Sequence, residues 1–206
     1  MTEDANNLEL LRRSLDQMSQ VIGRIRPDQD DLPTPCADWD VRELLRHVIK
    51  KDLRNFALVA RGENADWQAP PDELGDDWQA AFDAGAAQLI ELWEAVPAEK
   101  MVALPNGQEV AVRSRADQQI AEFCVHAWDL ARATGQPSDL DTEAAEHGLA
   151  WSRRMLRPDA RGPGKAFGAE VQVPAFAPVY DRLAGWFGRD PAWPKVSAGL
   201  GLPGGR

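Results

Sequence analysis

Cysteine and histidine are scarce in this chain, and basic residues are outnumbered by acidic ones. Its 206 residues include two cysteines and three histidines, and 23 basic residues stand against 33 acidic ones. Cys36 and Cys124 are too few and too far apart in sequence for a disulfide framework, so we expect free thiols and a reducing cytoplasm. The net charge of -10 repels polyanions, which argues against nucleic acid and anionic membranes as principal partners.

Long apolar runs, repeats and low-complexity blocks are also missing. No stretch approaches the roughly 18 apolar residues of a membrane span, and the first residues, Met1-Thr-Glu-Asp, are acidic rather than basic. We therefore expect a soluble, unprocessed protein. The length suits one domain, 1–206, with a helical bundle over about 5–157 and a tail over 158–206.

The hydrophobic periodicity predicts an all-α chain. Apolar residues recur at spacings of three and four, the repeat of a helix that buries one face. Pro27 ends the first such segment, Asp40 and Glu43 have the form of a capping box before the second, and Gly135 closes the fourth. The predicted helices cover 8–25, 40–61, 78–96, 117–134 and 142–156, with a short one at about 180–187.

The sequence of residues 101–112 is compatible with two different structures. Residues 101–112 alternate weakly around Pro105-Asn-Gly107, which is a turn signal. The pattern fits either a short β-hairpin or an extended crossover loop. After Pro158 the composition changes to loop chemistry, rich in proline and glycine.

Two of the three histidines occupy positions that suit a metal site. Glu122 and His126 are four residues apart in a predicted helix, so both side chains stand on one face and can bind one ion. His47 is the candidate third ligand. The alternative is an ordinary Glu–His pair on a helix, with His47 as an unrelated polar residue, because this spacing also occurs by chance.

Three sequence blocks resemble a known family. The segment Thr34-Pro-Cys-Ala-Asp-Trp-Asp-Val-Arg-Glu-Leu-Leu-Arg-His47 is similar to the TPC-x-x-W-x-x-x-x-L-x-x-H segment of the DinB-like proteins grouped with the N-terminal domain of mycothiol-dependent maleylpyruvate isomerase. The block from Glu122 to Gly135 resembles their E-x-x-x-H-A-W-D-L-A-x-A-T-G motif, and 182–191 resembles the tail of one branch. Together the blocks favour the metal site over the chance pair.

The resemblance implies both a fold and a site. The fold is a DinB-like up-and-down four-helix bundle, here with an additional C-terminal helix and a Pro/Gly-rich tail. The implied metal ligands are His47, Glu122 and His126, which leave a position open for another molecule. Zinc suits two nitrogens and one oxygen, with nickel as a competitor.

The resemblance also implies thiol chemistry. Mycothiol is the expected cosubstrate of a thiol S-transferase or a thiol-assisted isomerase, with an electrophilic small molecule as second substrate and a monomer or homodimer as the assembly. Only about 70 residues follow Gly135, which leaves no room for the isomerase's separate C-terminal domain, so activity on maleylpyruvate itself is not expected. A metal-dependent hydrolase and a non-catalytic metal-binding or ligand-binding module are the alternatives.

Residues around the predicted ligands carry further expectations. Asp129, three residues after His126, either accepts a hydrogen bond from that imidazole or forms a salt bridge with Arg132 or another arginine. Cys124 points away from its neighbouring ligands in a helix and is predicted to lie in the core.

Cys36 is either a core residue, the favoured interpretation, or a thiol near the site. Trp39 fits an apolar face. Lys50 and Lys51 follow His47 closely and predict a cationic cleft mouth. His147 is expected to be solvated.

Overall fold

The computed structural model describes residues 3–37, 39–97, 100–103, 109–137, 140–156, 160–162 and 167–193. Its helices are α1 (Glu3–Ile22), α2 (Val41–Arg46), α3 (Leu53–Arg61), α4 (Trp78–Glu94), α5 (Ala116–Ala133), α6 (Thr142–Met155) and α7 (Val179–Trp186). These elements confirm the predicted all-α class. None of the described helices is both long and apolar enough to cross a membrane.

Four helical segments form the predicted up-and-down bundle: α1, α2 together with α3, α4, and α5. Helix α1 packs against α4 and α5, α3 packs against α4, and α2 contacts α5. Helix α6, the predicted additional helix, lies against α5 and α1, and the short α7 lies on α6. One cluster of buried hydrophobic residues extends from α1 to the end of α7, so the C-terminal helices share the core of the bundle.

The ends of the helices follow from local chemistry. The Asp40 carboxylate accepts a hydrogen bond from the Glu43 backbone N–H at 2.7 Å, and the Glu43 carboxylate accepts one from the Asp40 N–H at 3.2 Å. This reciprocal pair is the predicted capping box and fixes the start of α2. Gly62 and Gly135 follow α3 and α5 with φ of 81° and 70°, a left-handed conformation that costs glycine little.

The segment predicted as one helix over 40–61 contains an irregular turn. Between α2 and α3, His47–Asp52 form a π-helix, and the Leu53 N–H bonds to the carbonyl of Val48, five residues earlier. The helical path is continuous, because the backbone of His47 and Asp52 stays right-handed α at both junctions. Such turns are rare and concentrate at functional sites.

The bundle core is rich in fully buried aromatic rings. Phe56 and Phe82 each pack edge-on against Phe123, with ring centroids 5.7 and 6.2 Å apart. Removing such a side chain from water stabilises the fold by about 1.5–3 kcal/mol. Cys124 is fully buried, as predicted, and its Sγ accepts a hydrogen bond from the Gln17 Nε2 at 3.3 Å.

Of the two structures left open for 101–112, the hairpin is confirmed. Strand β1 (Met101–Ala103) pairs antiparallel with β2 (Glu109–Ala111), with Val102 opposite Val110. The predicted turn at Pro105-Asn-Gly107 lies outside the described residues. A two-stranded element of this size leaves the helical class unchanged.

Candidate metal centre

The three predicted ligands meet at one cavity between α2 and α5. Glu122 and His126 stand one turn apart on α5, with the Glu122 Oε2 3.6 Å from the His126 Nε2. The ring of His47, at the start of the π-turn, has its centroid 5.4 Å from that of His126. The spacing on α5 and the pairing of α2 with α5 therefore bring all three side chains together.

Asp52 is a fourth side chain at this position, and the sequence reasoning missed it. Its Oδ1 lies 3.2 Å from the His47 Nε2, and the residue is only 2% exposed. In an α-helix, side chains five residues apart point in different directions. The π-turn widens the helix by about one residue, so His47 and Asp52 share a face.

The donor atoms fit a divalent ion. His47, Asp52 and His126 each offer a ligand atom, and these atoms lie within 4.8 Å of one another. Two atoms that share a zinc ion at about 2.1 Å are about 3.4 Å apart at the tetrahedral angle, close to the 3.2 Å and 3.6 Å found here. The Asp52 Oδ2 is buried without a hydrogen-bond partner, which is costly for a carboxylate unless a cation is near.

Behind His126 lies a buried chain of polar contacts. The His126 Nδ1 is 3.1 Å from the Asp129 Oδ2, and the Arg189 Nη2 donates to the same oxygen at 2.9 Å. Asp129 therefore accepts a hydrogen bond from His126 and also forms a salt bridge, the two roles that the sequence left as alternatives. The salt-bridge partner is Arg189 and not Arg132. The Arg132 Nη2 instead donates to the carbonyls of Pro191 and Trp193, at 2.7 and 2.6 Å.

Burial shapes the protonation of this cluster. Burial, helped by the negative charge of Asp52, raises the pKa of Glu122 to about 8. Burial also lowers the pKa of His126, which favours the neutral imidazole that metals bind. Burial by itself would raise the pKa of Asp129, but the charge of Arg189 and the hydrogen bond with His126 outweigh it and hold that pKa below its ordinary value.

The cluster opens into a cavity of about 480 Å³, within the usual range for small-molecule sites. Five aromatic side chains and several polar groups form its walls. The Trp39 ring covers His47, with centroids 4.3 Å apart. The other lining residues outside the polar cluster are Cys36, Lys51, Phe56, Trp67, Gln68, Gln118, Phe167 and Phe187.

Three neighbouring expectations need correction or refinement. Cys36, favoured as a core residue, is half-buried in the cavity wall. Of the two lysines expected at a cationic mouth, Lys51 is the one that lines the cavity. His147 is not simply solvated, since its Nε2 lies 2.8 Å from the Oδ1 of the buried Asp117.

A larger groove of about 740 Å³ runs between α1 and α4. Its charged lining residues are Arg12, Asp16, Asp83 and Glu94, and its described lining contains neither histidine nor cysteine. It therefore lacks the imidazole and thiolate donors that select transition metals. The smaller cavity beside His126 is therefore the candidate site.

Known proteins resemble this chain in sequence and in fold. The family model of the mycothiol maleylpyruvate isomerase N-terminal domain matches residues 11–131. Two uncharacterized proteins of Mycobacterium tuberculosis, from strains CDC 1551 and H37Rv, are each 36% identical over 182 residues, covering 86% of this chain and 94% of theirs.

Crystal structures of the mycothiol-dependent maleylpyruvate isomerase and of a variant with one histidine replaced by alanine give TM-scores of 0.50 and 0.54. They cover 72% of this chain and 68% of theirs, at 17% and 18% identity, which shows a shared fold. The sequence match over most of the bundle goes further: this chain belongs to the family of the mycothiol maleylpyruvate isomerase N-terminal domain.

Proposed function

We propose that this protein is a metal-dependent enzyme that uses the thiol of mycothiol as a nucleophile, either to transfer it to an electrophile or to assist an isomerisation. The observation that carries the proposal is the convergence of two imidazoles and the Asp52 carboxylate at one end of a cavity, with the Glu122 carboxylate beside His126. Membership of a family named for a mycothiol enzyme supports the choice of thiol. A reducing cytoplasm would keep that thiol available.

The proposed ligands are His47, Glu122 and His126, with Asp52 as a further oxygen donor. Zinc suits this set of nitrogens and oxygens, and nickel is the main competitor. When bound, the ion supplies a positive charge that lowers the pKa of a coordinated thiol, so that thiolate is available near neutral pH. Two neutral imidazoles and two carboxylates also balance the charge of one divalent ion.

The residues around the ligands have separate tasks in this proposal. Trp39 and Phe56 line the cavity beside the donor cluster and lower the polarity there, which strengthens electrostatic interactions within the cluster. Within the described part of the chain, Lys51 forms no hydrogen bond or ion pair, and it faces the same cavity, so it is available to bind a negatively charged or carbonyl oxygen of the second substrate. The aromatic walls then hold an apolar part of that substrate.

Cobalt substitution tests the proposal directly. With cobalt in the site, mycothiol should produce a sulfur-to-cobalt charge-transfer band, and an analogue with a methylated sulfur should not. The cobalt-loaded or zinc-loaded protein should also conjugate mycothiol to a panel of electrophiles faster than the metal-free protein does. His126→Ala should lose both signals.

Cys124→Ser is the matched control, because Cys124 lies between the ligands in sequence but points into the core. It should retain the band. A cobalt-loaded protein that gives neither band nor conjugation at millimolar mycothiol contradicts the thiol reaction. Metal-dependent hydrolysis of esters by the same preparation would then favour a hydrolase, and metal binding without any turnover would favour a binding module.

A further inference from the structure

The C-terminal segment after α7 reaches back to the candidate metal centre. Phe187 and Arg189 both line the cavity, and Phe167 joins them from the preceding loop. These residues lie outside the 11–131 segment that the family model matches. The site is therefore completed by a part of the chain that the family match does not cover.

The backbone places Arg189 with little freedom. Helix α7 ends in a Schellman motif, in which the Arg189 N–H bonds to the Ala184 carbonyl at 2.9 Å and the Gly188 N–H bonds to the Gly185 carbonyl at 3.0 Å. Gly188 has a φ of 84°, and a Cβ there would lie 2.7 Å from the Gly168 Cα. Glycine is thus required at this turn for both its conformation and its small size.

Hydrogen bonds to two different groups fix the guanidinium of Arg189. Its Nη1 donates to the Phe187 carbonyl at 2.9 Å, while Nη2 and Nε donate to the Asp129 Oδ2 at 2.9 and 3.2 Å. Asp129 is fully buried, and Arg189 is 9% exposed. Such a pair contributes little net stability, because desolvation offsets the attraction between the charges. The effect of the pair is to hold the Asp129 carboxylate in one position.

We propose that Arg189 is a positioning residue for the metal centre, acting through Asp129 on His126. A carboxylate only accepts hydrogen bonds, so the His126 Nδ1, 3.1 Å from the Asp129 Oδ2, carries the hydrogen. The lone pair of the ring then lies on Nε2, which faces Glu122 and the cavity. Arg189 holds the carboxylate in the orientation that keeps this tautomer and ring position, as outer partners of metal-binding histidines do.

This inference rests on the proposed metal site, but its first test needs no metal. In metal-free protein, ¹⁵N NMR of the imidazoles should show His126 with its hydrogen on Nδ1. Arg189→Gln should shift His126 towards a mixture of tautomers. An unchanged His126 tautomer in Arg189→Gln would overturn the inference, whatever the protein does with metals.

The second test measures zinc affinity. Arg189→Gln should weaken zinc binding about tenfold, within the range of about 10- to 100-fold found for outer partners of metal ligands. Arg189→Lys should restore part of the loss, because lysine keeps the charge but not the planar pair of donors. Arg182→Gln is the matched control, since Arg182 lies on α7 and pairs with Glu146 away from the cavity. It should leave the affinity unchanged.

A double-mutant cycle separates positioning from general damage to the fold. If Arg189 acts through Asp129, then Arg189→Gln should cost no further affinity in an Asp129→Asn background. The double variant also covers the case in which Arg189→Gln alone does not fold, because it leaves no unpaired buried charge. Additive losses would overturn the inference. Failure of the unmodified protein to bind zinc would contradict the proposed function and leave the NMR result to decide the tautomer.

Discussion

The two halves of the candidate site are built differently. On α5, Glu122 and His126 stand on a regular helix, His126 is 3% exposed, and a buried carboxylate and arginine lie behind its ring. On the opposite side, His47 has a side chain that is 19% exposed and stands at the start of an irregular turn. His126 is fixed by burial and by the pair behind its ring, and His47 is fixed by the local backbone geometry of the π-turn.

The difference predicts unequal effects of removing ligands. Structural zinc sites bind with about 10–16 kcal/mol, so one of four ligands accounts for about 2.5–4 kcal/mol, or about 100- to 1,000-fold in affinity. We expect His126→Ala at the upper end of this range and Glu122→Ala and His47→Ala at the lower end, because the side chains of Glu122 and His47 are 14% and 19% exposed and water reaches them more easily. Calorimetric zinc titration measures all three.

His147→Ala is the control for these variants, since His147 is the third histidine and pairs with Asp117. It should bind zinc normally. Circular dichroism should show that the helices remain in every variant, because the core consists of other residues. Equal losses for His47→Ala and His126→Ala would remove the proposed difference between the two halves.

A smaller effect is expected at Asp52. Asp52→Asn removes the negative charge but keeps one oxygen that can bind the ion, so we expect zinc binding to weaken about tenfold, less than when a whole ligand is lost. Asp76→Asn, on an exposed loop, should have no effect. A loss as large as that of Glu122→Ala would make Asp52 an equal ligand, and no loss would exclude it from the donor set.

The smallest effect is expected at Trp39. Its ring packs against His47 but offers no donor to an ion. Trp39→Phe keeps an aromatic face and with it most of the roughly 0.5–1.5 kcal/mol of an aromatic pair, so zinc affinity should change by less than about threefold. A change of about 100-fold would mean that the orientation of His47 depends on the indole rather than on the π-turn.

The regular parts of this molecule were predictable from the sequence, and the irregular parts were not. The spacing of apolar residues gave the helices, and the i,i+4 rule placed Glu122 and His126 on one face of α5. Asp52 was not predicted, because side chains five residues apart do not lie on one face of an α-helix. Arg189 was not predicted either, because its contact with Asp129 joins segments 60 positions apart, which no local sequence pattern encodes.

The π-turn is also visible in the burial pattern of this helix. Apart from Asn55, the buried positions between Leu44 and Ala57 repeat every four residues, a longer period than the 3.6 of an α-helix. The repeating pairs are Leu44 and Leu45, Val48 and Ile49, Asp52 and Leu53, and Phe56 and Ala57. A period of four maintained over this distance indicates one extra residue, although the binary pattern alone does not say which turn contains it.

That extra residue has a consequence for aligning and redesigning this helix. One residue corresponds to about 100° of rotation, so Phe56 and the rest of α3 face a different direction from the one an uninterrupted α-helix would give them. In the structure, Phe56 meets Phe123 and lines the cavity. A relative without the π-turn aligns with this chain only if a gap is allowed inside the helix. If the unbroken helix of such a relative replaced this one without that gap, the residue at the position of Phe56 would point out of the core.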